Sequence, residues 1–163
     1  MKDAVGSTML VYIVVIVVGV VGSILIASNM YTSAYKAKNN IVSIIDKYYM
    51  VNGKDCFGAG GVCTNSIDGT LKNMGYYVNE DNLCNVKILT KVTKKAKDDE
   101  GNDVSMTSLA YEGNGYCIYR TNLYNTSYYY TVVTFSHLNI NAFNIGSLFS
   151  TPVYGETRTY YNS

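Results

Sequence analysis

From Ala4 to Tyr35 the chain has no Asp, Glu, Lys, Arg or His. Charged residues make up only 15% of the whole, against a usual quarter, and most of the deficit lies in this stretch. Tryptophan is absent, and proline and histidine occur once each. With one histidine, His137, general acid–base or nucleophilic machinery has little to draw on, and its neighbour Ser136 points to the opposite face of a strand. No P-loop, GxGxxG, HExxH or CxxC occurs, so nucleotide, dinucleotide and zinc-protease chemistry have no motif here. A net charge of +1 supplies no basic field for nucleic acid. The expectation is a non-enzyme with no catalytic residue, no cofactor and no bound metal.

What fills the charge-free stretch is apolar. Met9 to Ala27 is nearly unbroken Val, Ile, Leu and Gly. As a helix it spans roughly 28 Å, close to the hydrocarbon thickness of a bilayer. A core helix would show one polar face, and this segment has none. A secretory signal cut after Ala27 is the alternative; it would place Leu25 where such sites take a small residue, and the run exceeds a usual signal core. The reading adopted is an uncleaved single-pass anchor. Lys36, Lys38 and Lys47 follow the span, so positive charge does not favour a cytoplasmic N-terminus. The cysteines do: Cys56, Cys63, Cys84 and Cys117, an even number, all lie beyond the span and suit disulfides in an oxidising compartment. The C-terminal domain is therefore placed outside the cytoplasm.

The helix should continue past the membrane. Ala34, Ala37, Ile41, Ile44, Ile45 and Tyr48 recur at helical spacing, Lys36, Asn40, Ser43 and Lys47 fall on other faces, and Asn52-Gly53 offers a stop. Such a stripe needs a partner surface, most simply a sheet. Residues 66–75 read as a short helix ending at Gly75. Residues 85–97 alternate apolar and polar and read as a strand, with 98–105 as a hairpin tip and 105–113 as the return strand. Further strands are expected at 115–122, 127–140 and 151–161, the last with the single proline near its start. The predicted fold class is α+β, a long N-terminal helix (transmembrane, then amphipathic) packed on a small antiparallel sheet. The organisation is a tail 1–8, a transmembrane helix 9–27, an amphipathic extension 28–52 and a β-rich domain 53–163.

"CFGAGGVC" could suggest a metal knuckle, but Cx6C is not zinc spacing and a disulfide-pinned loop fits better. Of three possible pairings, Cys56–Cys63 with Cys84–Cys117 is the simplest. The acidic run 98–103 lacks the EF-hand order, with Gly101 misplaced, and Glu80-Asp81 reads as a solvated turn. Tyrosine is plentiful, with 17 copies. Strand propensity is the first explanation, yet alternation should expose part of Tyr128-Tyr129-Tyr130, and exposed tyrosines can bind a glycan or protein ligand.

Two stretches carry a family resemblance. "VGSTMLVY" places Gly6 before Ser7, with Tyr12 sixth from Ser7, and "FNIGSLFSTPVYGETRTYY" closes the chain with a Gly155-Glu156-Thr157 turn. With the anchor-helix-sheet order, the chain resembles type IV pilins, and more closely the TadE-like minor pilins of tight-adherence systems. The resemblance implies a pilin-like fold, cleavage after Gly6, and a structural or assembly role in a surface pilus or secretion system. Its partners would be membrane lipid and other pilin-like subunits or secretion-system components. Gly19, Gly22 and Ser23 would permit close helix packing, although no strict GxxxG occurs. The family's glutamate at the fifth mature position is Val11 here, which suits a minor, initiating or tip subunit better than a major one. The rival reading is a solitary membrane-anchored binding module that recognises a glycan or protein through Tyr128, Tyr129 and Tyr130.

Overall fold

The structure is a computed structural model describing residues 2–57, 62–76, 78, 83–93, 105–123, 127–137 and 150–161, with backbone alone at 2–7, 86, 105, 137 and 150. One helix, α1 (Lys2–Asn52), takes up the first third of the chain. Residues 2–8 of the short tail expected before the span belong to it. It ends where Gly53 adopts φ +60° and its N–H returns to the Tyr49 carbonyl at 2.8 Å, a left-handed stop that favours glycine. Then follow α2 (Cys63–Asn73), α3 (Val86–Val92) and the strands β1 (Ser105–Gly113), β2 (Tyr116–Leu123), β3 (Ser127–His137), β4 (Ser150–Glu156) and β5 (Tyr160–Tyr161). The fold is α+β, as expected.

All strand pairs are antiparallel, in the order β1-β2-β3-β4, with β5 beside the start of β3. The expected last strand, 151–161, is thus two strands on one partner. Thr157 fills the break: its N–H donates to the Tyr130 carbonyl at 2.9 Å, and its Oγ1 accepts from Tyr130 N–H at 3.0 Å. A side chain here replaces one rung of the ladder.

α1 lies across one face of the sheet through the predicted stripe. Ala34, Ala37, Ile41 and Ile45 are fully buried, against Tyr116, Ile118, Tyr128, Tyr130, Val132, Val153 and Tyr160. Two alanines let the sheet approach the helix backbone closely, and the Thr134 hydroxyl donates to the Ala34 carbonyl at 2.9 Å. α2 joins this core through Cys63, Ile67 and Leu71.

The opposite face is also covered. Ile88 and Val92 of α3 pack with Cys117, Tyr119, Val133 and Phe135. This corrects the strand expected over 85–97. Ile88, Leu89 and Val92 satisfy a helical period as well as an alternating one, and Asn85 decides the matter by capping: its side chain accepts from Ile88 N–H at 3.2 Å. β1 therefore pairs with β2. The expected hairpin tip and the acidic run lie outside the described residues, as do Glu80, Asp81, the glycine-rich centre of the Cys56–Cys63 loop and residues 138–140.

Candidate functional site: the apolar half of α1 and its mounting

Met9 to Ile26 is exposed on every side, with large side chains ranging from 45% for Ile26 to 71% for Tyr12. Length and composition suffice to cross a membrane. In water each of the large aliphatic side chains forgoes about 1.5–3 kcal/mol of burial, which is compatible with a single-pass membrane anchor. Gly19 and Gly22 have nothing within 4 Å of a would-be Cβ, leaving a shallow notch in the helix surface. Beside it the Ser23 hydroxyl donates to the Gly19 carbonyl at 2.8 Å and so needs no outside partner. Gly6 and Ser7 lie on the same helix, six and five residues before Tyr12.

The mounting is polar, and three aspartates organise it. Asp46, on α1, accepts from the Tyr160 hydroxyl, while Arg158 lies 3.7 Å away and donates to the Asp46 carbonyl at 3.1 Å. Alongside, the Tyr49 hydroxyl donates to the Tyr161 carbonyl at 3.0 Å, and the Tyr49 and Tyr160 rings sit 4.4 Å apart. Asp55, just past the helix, accepts from the Tyr130 hydroxyl and from Phe57 N–H at 2.9 Å, and it pairs with Arg120. Arg120 in turn rests on the Tyr128 ring at 4.0 Å and donates to Asn122 at 2.9 Å. Asp68, on α2, accepts from the Tyr116 hydroxyl at 2.7 Å and from Tyr111 at 3.2 Å. Burial, then the neighbouring carboxylate, pushes the Tyr130, Tyr116 and Tyr160 hydroxyls above the ordinary phenol range. These tyrosines stay protonated and act as donors.

Two disulfides hold the frame. Cys56–Cys63 ties the turn after α1 to α2 with Cα atoms 5.6 Å apart, and Cys84–Cys117 ties the start of α3 to β2 at 5.7 Å. Cys84 thus precedes a helix, where a strand was expected. Tyr76 makes a further link: its hydroxyl donates to the Gly115 carbonyl at 2.7 Å and accepts from Phe135 N–H at 2.9 Å. The Gly155-Glu156-Thr157 turn acquires a physical reason as well. A Cβ at Gly155 would lie 2.5 Å from Cδ of Lys38, whose stem crosses β4 there, and Thr157 bridges to Tyr130.

The tyrosine run corrects one expectation. Tyr128, Tyr129 and Tyr130 are 2%, 9% and 1% exposed, so none of the three offers a free surface. Alternation does turn Tyr129 away from α1, but that face is covered too. Exposed tyrosines among the described residues lie instead at Tyr12 in the apolar run and at Tyr31, Tyr35, Tyr154 and Tyr161 beyond it. Sequence reasoning missed the three aspartates. A signal existed in Asp46, which directly follows the buried Ile45 of the stripe, and in the two-residue spacing of Tyr128 and Tyr130, which sends both toward the helix.

On the far face, the buried hydroxyls of Tyr119 and Thr131, register partners on β2 and β3, have no hydrogen-bond partner among the described residues. His137 ends β3, opposite Ser150. Among the described residues no three His, Cys, Asp or Glu side chains group to hold a metal ion. Comparison with protein-family models, with curated proteins and with solved structures gives no match.

Proposed function

We propose that the chain is a membrane-anchored, pilin-like subunit, of TadE-like type, that serves a surface pilus or secretion assembly in a structural role. The observation that carries this reading is the single unbroken helix. Its first half is apolar on every side, and its second half is the spine of a disulfide-bearing α+β domain. A subunit built this way presents the domain outside the cytoplasm, while the apolar half packs laterally with like helices in the bilayer or in a filament. Gly19, Gly22 and Ser23 mark the face where close approach is easiest.

Intact mass and N-terminal sequencing of the protein from membranes and from sheared cell surfaces test this. A mature start at Ser7 in the sheared fraction, together with co-purifying pilin-like or secretion components, supports it. An intact, monomeric chain confined to membranes, with no such component, refutes it. The binding-module reading would need a surface other than the three tyrosines, because all three are buried.

A further inference from the structure

We infer that the sheet end formed by the last residues of β3 and the first of β4 rests on the headgroup layer of the bilayer, giving the domain a second membrane contact besides α1. This rests on the reading of α1 as a membrane span and goes beyond it by fixing where the domain sits.

Three contacts align β3 with α1. Thr134 meets Ala34 by a 2.9 Å hydrogen bond. Gly155, the register partner of Val132, meets Lys38. Tyr160, the register partner of Tyr128, meets Asp46 and Tyr49. From residue 34 to the midpoint of 46 and 49, α1 rises roughly 20 Å. From residue 134 to 128, β3 covers roughly 20 Å as well. Equal rises over the same three contacts mean that β3 runs nearly antiparallel to α1, toward the membrane.

β3 then continues three residues past Thr134, to His137. That is about 10 Å, or about seven residues of helix, which reaches the height of Ala27, the last residue of the apolar run. β4 starts at the same height, because Ser150 pairs with His137 and Thr151 with Ser136. The β1–β2 turn, Asn114-Gly115, lies close by, since Tyr116 is level with Thr134. Asn114, Ser136, Thr151 and Pro152 are uncharged, and His137, a neutral imidazole at pH 7 by formal charge, ends β3 at the same level, so these rim residues bring no fixed charge to the headgroups. On α1, the exposed Tyr31, roughly 6 Å above Ala27, stands at interfacial height, where aromatic side chains are favoured.

Because the chain lacks tryptophan, single substitutions give clean probes. Full-length Val15→Trp, Thr151→Trp, Asn114→Trp and Val51→Trp proteins would be reconstituted in phosphatidylcholine vesicles. Quenching is read with lipid brominated in its acyl chains and with lipid carrying a nitroxide on its headgroup. Val51 stands about 36 Å above Ala27 along α1, so the headgroup nitroxide should quench Thr151→Trp and Asn114→Trp about three-fold more than Val51→Trp. Equal quenching of all three, with Val15→Trp quenched by brominated chains, overturns the seating and leaves the span intact. Val15→Trp unquenched by brominated chains overturns both. Thr151 and Asn114 are exposed and lie on different hairpins, so a folding defect in one variant leaves the other to decide.

Discussion

Replacing Asp55 by alanine should be among the most damaging single changes in the domain. Its carboxylate takes the Tyr130 hydroxyl, the Phe57 N–H and the Arg120 guanidinium at once. Tyr130 is 1% exposed, so its hydroxyl would be stranded, at about 1–3 kcal/mol. Phe57 N–H is half-buried and loses a charge-assisted bond, which adds about 1 kcal/mol. The Arg120 side chain keeps some solvent contact, as does Asp55, so their pairing adds at most about 1 kcal/mol after screening. The sum is about 3 kcal/mol, or roughly 10 °C in Tm for a domain of this size. Tyr130→Phe should cost only about 1 kcal/mol, because Asp55 keeps its other two partners. The assay is thermal unfolding of the full-length protein in mild detergent, followed by near-UV circular dichroism, which reads the packed tyrosines. A double-mutant cycle with Tyr130→Phe should show coupling of about 1 kcal/mol. If Asp55→Ala lowers Tm no more than Tyr130→Phe does, Asp55 is not the hub described.

On the far face, Thr131→Val removes a buried hydroxyl that has no partner and should raise stability by about 1 kcal/mol; a lower Tm would mean that the hydroxyl is satisfied in solution. Burial holds the Tyr76, Tyr119 and Tyr128 phenols at about 12, against 10.0 for an ordinary tyrosine. A raised folded value gives stability that is whole below pH 10 and drains as pH rises toward 12, so Tm should hold to about pH 10 and then fall; a fall beginning near pH 8 would contradict this. Removing Cys84–Cys117 as a pair of serines should cost about 4 kcal/mol, against about 2.5 for Cys56–Cys63, because the first closes the longer loop; urea titration of the two variants checks the order.

The helical stripe was legible because a 3.6-residue period repeated over several turns admits one reading: Ala34, Ala37, Ile41 and Ile45 bury as expected. Residues 86–92 were not legible, because an apolar pattern two turns long fits either period, and the deciding cap is one side chain, Asn85. The tyrosine exposure was misjudged for a different reason. Alternation predicts which face a residue takes, and it does not say whether that face is covered; here α1 covers Tyr128 and Tyr130, and Tyr129 on the other face is only 9% exposed as well. The aspartate hubs were hidden because their partners lie far along the chain: Asp55 from Tyr130 by 75 residues, Asp46 from Tyr160 by 114. Local pattern holds no trace of such pairs.

The same accounting bears on how a subunit of this kind would choose its neighbours. In lipid, helices are held together by close packing and by polar groups that bond across the interface. The apolar half of α1 has little of the second. No Asp, Glu, Lys, Arg or His lies between Ala4 and Tyr35, and the Ser23 hydroxyl is already committed to Gly19, which leaves chiefly the exposed Tyr12 as a polar group within the run. Besides it there is the notch at Gly19 and Gly22, which would admit many helices equally well. On the reading proposed above, selectivity would then reside in the domain, where charged and aromatic groups are fixed in place. α1 carries that information to the membrane: it is continuous from the span to Asn52, and its stripe is locked to the sheet from Ala34 onward. Between the span and that lock lie only the six residues 28–33, about 9 Å of helix. If the chain is the anchored subunit proposed above, a domain held so close to the bilayer would present its sides to its neighbours at a set height, and the weakly specific helix would need only to keep it there.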